Sequence, residues 1–163
     1  MRDIGMTILR SPAYAHHIPA EIKPDEDYHY MDQGLQTFHY SMYPHKGNWE
    51  TSGTVQRAAE LNQKPTALFT TFHPEGKLPQ SDSFIHVSPD NVMVTVLKQS
   101  EDGDDLILRA VETNQAATQA IIEIPHLSKV IEAEFNPCEI KTFRIPEDMN
   151  LPVRETNLLE EDF

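Results

Sequence analysis

The amino-acid sequence predicts an all-β protein, an antiparallel β-sandwich with one short helix. Short apolar runs separated by clusters of turn residues fill the second half of the chain, which is the pattern of a sandwich. The 12 prolines and the scarcity of long apolar runs argue against a helical bundle. A chain of 163 residues can bury a real core, so one domain, or one and a half small ones, is expected.

The first part of the chain is predicted to be irregular. Residues 4–10 are predicted to form a strand. A strand so close to the start of the sequence favours the interpretation that the chain is a fragment of a larger fold. Residues 11–30 are rich in proline, acids and histidine, and they predict a long, extended connection.

An alternating aromatic stretch follows at residues 35–43. Phe38, Tyr40 and Met42 share one face of it, which predicts a β-strand with that face in a core. The polar turn Asp32-Gln33-Gly34 precedes this strand. A polar turn held by a rigid strand is a common way of presenting binding residues, so this turn is a candidate site.

One short helix is predicted near residues 52–63. Thr51 or Ser52 would cap it, and Pro65 would stop it. Its apolar residues form only a thin stripe, so we expect a surface helix that packs on a sheet.

The second part of the chain predicts a regular series of short strands between turns. The predicted strands are 83–87, 92–97, 106–112, 116–124, 129–135 and 139–145. In the strand at 129–135, Ile131, Ala133 and Phe135 would face the core, and Glu132 and Glu134 would face solvent.

Three regions follow from this pattern. Residues 1–88 are interpreted as the end of a large β-sandwich with irregular connections and the short helix. Residues 89–146 are predicted to form a small antiparallel β-sandwich unit. Residues 147–163 are acidic and punctuated by proline, and they predict a tail that is partly ordered at best.

Composition excludes several classes of function. Twenty-six acidic against 13 basic residues give a formal net charge of −13, which repels nucleic acids and anionic membranes.

Cys138 is the single cysteine, so no disulfide can form within the chain and a reducing, cytoplasmic location is the simple inference. Cys138 lies in a strand-like run and is predicted to be a small core residue. No secretory signal and no apolar run of membrane-spanning length is visible.

Motifs for catalysis and for metal binding are missing from the sequence. The eight histidines form neither His-Glu-x-x-His nor a zinc-finger spacing. There is no phosphate-binding loop, no dinucleotide fingerprint and no Gly-x-Ser-x-Gly. The acidic cluster at 101–105 is interpreted as a solvated turn rather than an acid/base pair. We therefore predict no catalytic residue and no metal site in this chain, with a metal-binding module built from the histidines as an open alternative.

Aromatic residues crowd between residues 28 and 49. They are Tyr28, Tyr30, Phe38, Tyr40, Tyr43 and Trp49. Aromatic faces beside acids and amides are a sugar-binding chemistry. The alternative is that these rings are ordinary sandwich core and strand edge, and the residues alone leave both open.

Eight short pieces of sequence, in a fixed order, carry a resemblance to a known family. They are Leu-Arg-Ser-Pro at 9–12, Asp-x-Gly at 32–34, Phe-x-Tyr at 38–40, Pro-His-x-Gly at 44–47, the run 91–98, Glu-Asp-Gly at 101–103, the run 106–112 and the run 135–142. Together they resemble the C-terminal β region of family 38 glycoside hydrolases, in particular of cytosolic, bacterial-type α-mannosidases.

The resemblance implies a fold and a function. Such enzymes are retaining α-mannosidases with one divalent metal, usually zinc, held in an N-terminal catalytic domain that is followed by a helical bundle and large β-sandwiches. This chain resembles only the last part, so it would be part of a larger super-sandwich, with no catalytic residue and no metal of its own. By position in the family, Asp32, Gln33 and Gly34, together with Arg10, are the substrate-binding candidates.

Two functional hypotheses from different classes follow. In the first, the chain is the non-catalytic β domain of an α-mannosidase, its partners are the N-terminal catalytic domain and the mannoside, and it is inactive alone. In the second, it is a stand-alone carbohydrate-binding β-sandwich. The first also implies exposed apolar faces where other domains would sit, and hence self-association into a homo-oligomer.

Overall fold

The computed structural model describes residues 5–13, 25 and 27–163. By its internal contacts the chain divides into two units, Met1–Met42 and Tyr43–Phe163. This division falls after residue 42, whereas the sequence places a boundary near residue 88, and the predicted domain limits remain predictions. No helix among the described residues is long and apolar enough to cross a membrane.

The larger unit contains a β-sandwich of two antiparallel sheets and one helix, which confirms the predicted fold class. Its elements are α1 (Thr54–Asn62), β1 (His86–Ser88), β2 (Val92–Gln99), β3 (Leu106–Glu112), β4 (Thr118–Ile124), a 3₁₀ turn (Pro125–Leu127), β5 (Lys129–Phe135), β6 (Ile140–Ile145) and β7 (Arg154–Thr156). One sheet has the order β1-β4-β5 and the other has the order β2-β3-β6-β7.

One side of the sandwich core is built by strict alternation along β4 and β5. In β5, Ile131, Ala133 and Phe135 are buried, and the two glutamates between them are exposed, as predicted. In β4, Ala120, Ile122 and Ile124 are fully buried in the same way. They meet apolar residues of the opposite sheet, namely Val92, Leu108, Ala110, Phe143 and Ile145. Period-two burial of β-branched and aromatic side chains on facing sheets is what stabilises a sandwich.

The strands predicted in the first part of the chain are absent from its described residues. Residues 5–10 and 35–43 have no regular secondary structure, and residue 4 lies outside the described residues. Phe38, Tyr40 and Met42, predicted to be core, are 48%, 66% and 81% exposed. The apolar and polar residues alternate in the sequence, but no strand among the described residues pairs with this stretch. Most of the predicted connection at 11–30 also lies outside the described residues.

The helix is confirmed, but its predicted cap is wrong. The N-cap is Gly53, with φ of 68°, and no side chain caps the helix. The Thr51 hydroxyl instead donates to the Asn48 side chain at 2.9 Å, and Ser52 donates to the Trp49 carbonyl at 3.2 Å. A left-handed N-cap favours glycine. Thr51 and Ser52 therefore precede the cap and stabilise the turn before the helix instead.

The end of the chain is better ordered than the predicted acidic tail. β7 pairs with β6, and the Thr156 side chain is buried. Glu160 is 7% exposed, accepts a hydrogen bond from the Glu101 amide at 2.9 Å and pairs with Lys98 at 2.7 Å. The Arg109 guanidinium donates to the Leu158 carbonyl at 2.7 Å. These contacts hold the last residues against β2, β3 and the turn that follows β2.

Candidate functional site

The predicted turn at residues 32–34 is held by the segment that carries the Leu-Arg-Ser-Pro motif. The Ser11 hydroxyl donates to the Met31 carbonyl at 2.7 Å, and the Gln33 amide donates to the Ser11 hydroxyl at 2.6 Å. The Met31 amide donates to the Pro12 carbonyl at 2.9 Å, and Ala13 and Tyr30 form an antiparallel bridge. Two pieces of the resemblance that are 20 residues apart therefore meet in space.

The backbone of this turn is shaped by two left-handed residues. Asp32 has φ of 54° and Gly34 has φ of 105°. Asp is among the few side chains that tolerate this region, and Gly adopts it without cost. Both residues are exposed, and the Asp32 carbonyl accepts a hydrogen bond from Gln36 at 3.3 Å.

Among the candidate side chains, one is held in place by a hydrogen bond and two are exposed. Gln33 is tied to Ser11. Arg10 and the carboxylate of Asp32 are exposed and make no hydrogen bond or ion pair with another described residue. Such groups are available to hydroxyls of a ligand, although the structure does not join Arg10 to the turn.

The aromatic residues between 28 and 49 are more exposed than a core requires. Phe38 and Tyr40 project from the smaller unit, at 48% and 66% exposure. In the larger unit, the Tyr43 hydroxyl donates to the Ser52 carbonyl at 3.0 Å, and its ring lies 5.5 Å from that of His45. Trp49 is 39% exposed. The interpretation of these rings as sandwich core is not what the structure shows.

The most buried carboxylate of the described chain is Glu112, at the end of β3. Its Oε1 accepts hydrogen bonds from the Asn91 side chain at 2.9 Å and from the Asn114 amide at 2.6 Å. Its Oε2 accepts from the Ala116 amide at 3.2 Å and from the Cys138 amide at 2.9 Å. We call this set the Glu112 clamp, because it joins three turns at one end of the sandwich.

The electrostatics of the clamp follow from its hydrogen bonds. Burial raises the pKa of Glu112, but the Cys138 amide, the Asn91 side chain and the other amides outweigh it and leave the pKa below its ordinary value. A carboxylate held ionised by four donors is a structural anchor and a poor proton donor. The clamp also corrects the prediction for Cys138, which lies in a turn with φ of 60° and is exposed, not buried in the core.

The acidic cluster at residues 101–105 is a charge network rather than a simple solvated turn. The Arg144 guanidinium donates to Asp105 at 2.6 Å and to Asp102 at 2.7 Å. Arg144 lowers the pKa of both carboxyl groups, and the two carboxylates raise the pKa of Arg144. The Glu147 amide also donates to Asp105, at 2.9 Å. The cluster therefore closes the turn after β2 onto β6.

Metal-binding geometry is not found within the part of the chain that the structure describes. No group of three or more His, Cys, Asp or Glu side chains there could hold an ion. His126 instead contacts Asp82 at 3.4 Å and stacks on Phe84, with ring centroids 5.5 Å apart.

Sequence reasoning missed the Glu112 clamp. The only signal for it was the place of Glu112 at the end of an apolar strand, followed by a turn, where a buried acid requires several donors.

Comparisons with known proteins find a similarity to one family. Residues 91–143 match the sequence model of the glycosyl hydrolases family 38 C-terminal beta sandwich domain. Alpha-mannosidase G of Dictyostelium discoideum is 28% identical over 170 aligned residues, which cover 86% of this chain and 14% of that protein. The chain thus spans about one seventh of the length of this curated relative. No solved structure matches the chain significantly.

Proposed function

We propose that this chain, whose residues 91–143 match the sequence model of the glycosyl hydrolases family 38 C-terminal beta sandwich domain, is the non-catalytic β part of a retaining α-mannosidase. In this proposal it supports a catalytic portion that hydrolyses terminal α-mannosides. The observation that carries the proposal is the span of the similarity, which covers 86% of this chain but only the 14% of an α-mannosidase that corresponds to it. The ordered sequence pieces, which resemble the C-terminal β region of family 38 glycoside hydrolases, agree with this proposal.

The state of the buried carboxylates supports a non-catalytic role. A glycosidase uses two carboxyl groups that face the sugar across an open cleft. Glu112 and Glu160 are the buried acids among the described residues, and both are occupied by hydrogen bonds from the protein. Their arrangement stabilises turns and leaves no oxygen free to attack or protonate a substrate.

The turn at residues 32–34 is the part that we propose to approach the sugar. The Ser11–Gln33 hydrogen bond fixes its shape. The Asp32 carboxylate and Arg10 are exposed, make no hydrogen bond or ion pair with another described residue, and would bind hydroxyl groups. The zinc ion belongs to the catalytic portion in this proposal. In the same proposal the protein is located in the cytoplasm, in agreement with an exposed free thiol at Cys138.

Reconstitution tests the proposal. The chain would be assayed with a chromogenic α-mannoside and zinc, alone and mixed with the separately produced catalytic portion of the corresponding α-mannosidase from the same organism. We expect no hydrolysis by the chain alone and a gain on mixing. Hydrolysis by the chain alone would overturn the non-catalytic role, and the absence of any gain would overturn the supporting role.

The proposed contact with the sugar has its own test in the reconstituted enzyme. Asp32→Asn is expected to raise KM, whereas Asp27→Asn, a change of the same kind at an exposed acid nearby, is expected to leave KM unaltered. Equal kinetics for the two variants would remove the turn from the substrate site. Elemental analysis of the purified chain is expected to find no bound zinc, and a stoichiometric metal would move the metal into this chain.

A stand-alone carbohydrate-binding module is the second candidate. The exposure of Phe38 and Tyr40, at 48% and 66%, favours it, because a sugar ring packs on an open aromatic face. Calorimetric titration of the chain with manno-oligosaccharides decides. Heat of binding that disappears in Tyr40→Ala supports the module, and no heat at millimolar sugar excludes it.

A further inference from the structure

An apolar segment without secondary structure lies between the helix and the sandwich. We call residues 64–81 the apolar arm. Leu68, Phe69, Phe72 and Leu78 are 87%, 99%, 89% and 78% exposed. Every residue of the arm is exposed, and the arm contains neither helix nor strand. Four large apolar side chains left almost fully in water within one short segment are unusual for a protein surface.

The arm is fixed at both ends within the same unit. Before it, α1 is tied to the sandwich, since the Gln56 side chain donates to the Asp90 carbonyl at 2.9 Å. After it, Asp82 contacts His126 at 3.4 Å and Phe84 stacks on the same ring. Within it, the Thr70 hydroxyl and His73 are 2.8 Å apart, and the Gly76 amide donates to the His73 carbonyl. The arm is therefore a loop that is tethered at both ends to the same unit.

The composition of the arm differs from that of the rest of the chain. The chain carries a formal net charge of −13, but the arm holds only Lys64, Glu75 and Lys77 as charged residues. Three prolines, at positions 65, 74 and 79, restrict its backbone. A solvated spacer would be polar and flexible. Compared with such a spacer, an apolar, nearly neutral loop with a restricted backbone loses less conformational entropy on binding and buries more apolar surface.

The occupant of the arm follows from the length of the relative. A contiguous match over 86% of this chain includes the arm wherever the match begins, so the arm lies inside the shared region. The relative has about six sevenths of its length outside that region. If the proposed function holds, the remainder of such an enzyme is the partner that would cover this surface.

We propose that the apolar arm is the docking surface for the catalytic portion of the α-mannosidase, with Phe69 and Phe72 as its central anchors. The inference rests on the proposed function and adds the surface through which the chain would contact the catalytic portion. Aromatic anchors that become fully desolvated dominate the affinity of such interfaces. Association would also leave the net negative surface of the sandwich in water, where it maintains solubility.

Binding of the chain to the separately produced catalytic portion tests this inference, with isothermal titration calorimetry as the readout. The double variant Phe69→Ser/Phe72→Ser is expected to weaken binding at least about 30-fold, the loss typical of one hot-spot residue. Its thermal unfolding is expected to match that of the unmodified chain, because both rings are already in water. Leu159→Ser is the matched control, since Leu159 is 78% exposed in the same unit but outside the arm, and it is expected to bind normally.

The outcomes separate the two proposals. Equal binding by the unmodified chain and the double variant would overturn the docking surface and leave the supporting role intact. No binding by the unmodified chain would overturn the supporting role, and the docking surface with it. Self-association in sedimentation that the double variant abolishes, without any change in binding to the catalytic portion, would make a second copy the occupant and overturn the inference.

Discussion

Residues 129–135 and residues 37–43 have the same alternating pattern but very different structures. In β5, the apolar residues Ile131, Ala133 and Phe135 are buried. In the earlier stretch, Phe38, Tyr40 and Met42 are 48%, 66% and 81% exposed, and no strand forms. The difference is the neighbour, because β5 pairs along its whole length with β4.

The comparison shows what alternation specifies. Period two defines a face that can be buried, but the strand itself needs a partner for its backbone groups and a surface for its side chains. β4 supplies the hydrogen-bonding partner to β5 through a tight connection, and the four-stranded sheet supplies the surface that buries the side chains of β5. The stretch at 37–43 has neither among the described residues, so its aromatic face remains available to another molecule.

The largest expected effect comes from removing one ring on each side of this comparison. Phe135→Ala, at a position that is 2% exposed, is expected to lower the free energy of unfolding by about 4 kcal/mol through lost burial and a cavity. Phe38→Ala, at a half-exposed position, is expected to cost less than about 1 kcal/mol. Urea denaturation followed by circular dichroism measures both, and equal losses would mean that the ring of Phe38 is buried in solution.

The Glu112 clamp allows a second contrast between a buried and an exposed acid. Glu112→Gln keeps the shape but turns one oxygen into an amide nitrogen, which faces two donors in either orientation. Two unsatisfied buried donors are expected to cost about 3 kcal/mol of unfolding free energy. Glu134→Gln, on the exposed face of β5, is expected to be neutral. A neutral Glu112→Gln would show that water satisfies these donors.

Acid should weaken the sandwich through the same group. The pKa of Glu112 is lower in the folded chain than its ordinary value of 4.5, so the unfolded chain binds more protons below that pH. The stabilisation is fully present above about pH 4.5 and is lost as the pH falls through the lowered pKa. Asp105 and Glu139 shift in the same direction. Unfolding at pH 6, 4.5 and 3.5 checks this, and Glu112→Gln is expected to show a shallower dependence.

The smallest effect is expected in the candidate turn. Ser11→Ala removes the donor to Met31 and the acceptor for Gln33, both of them exposed, so the unfolding free energy should change by only about 0.5–1 kcal/mol. Amide hydrogen exchange at residues 31–34 should become faster. Thr37→Ala, whose hydroxyl makes no hydrogen bond with a described residue, should leave that exchange unaltered. Unchanged exchange in Ser11→Ala would mean that the backbone alone holds the turn.

The sandwich could be predicted because its signals are local. β3 and β5 begin and end at the predicted residues, and the turns at Asn91 and Asn136 separate strands as expected. The short β7 could not be predicted, because its three residues pair only through β6 and carry no period of their own. The cap of α1 was also missed, since Gly53 adopts a conformation that no residue pattern marked.

The candidate turn was predicted both from its place before an expected strand and from the resemblance, but that strand is absent from the described residues. What holds the turn is the contact between Ser11 and Gln33, which lie 22 positions apart. Long-range hydrogen bonds of this kind leave no trace in a local pattern. The same is true of Glu112, whose donors come from segments up to 26 positions away.

The order of strands in the two sheets has a consequence for how the sandwich comes apart. β3 pairs with β6, and the entire β4–β5 hairpin, two of the three strands of the opposite sheet, lies between them in the chain. The β3–β6 pair can therefore form only when the β4–β5 hairpin between them is accommodated as a closed loop. The hairpin in turn buries its apolar face only against the sheet that the β3–β6 pair completes. Neither sheet is a foldon of its own. The sandwich is expected to melt in a single cooperative transition, and its formation is limited by this non-local pairing rather than by the fast local hairpins.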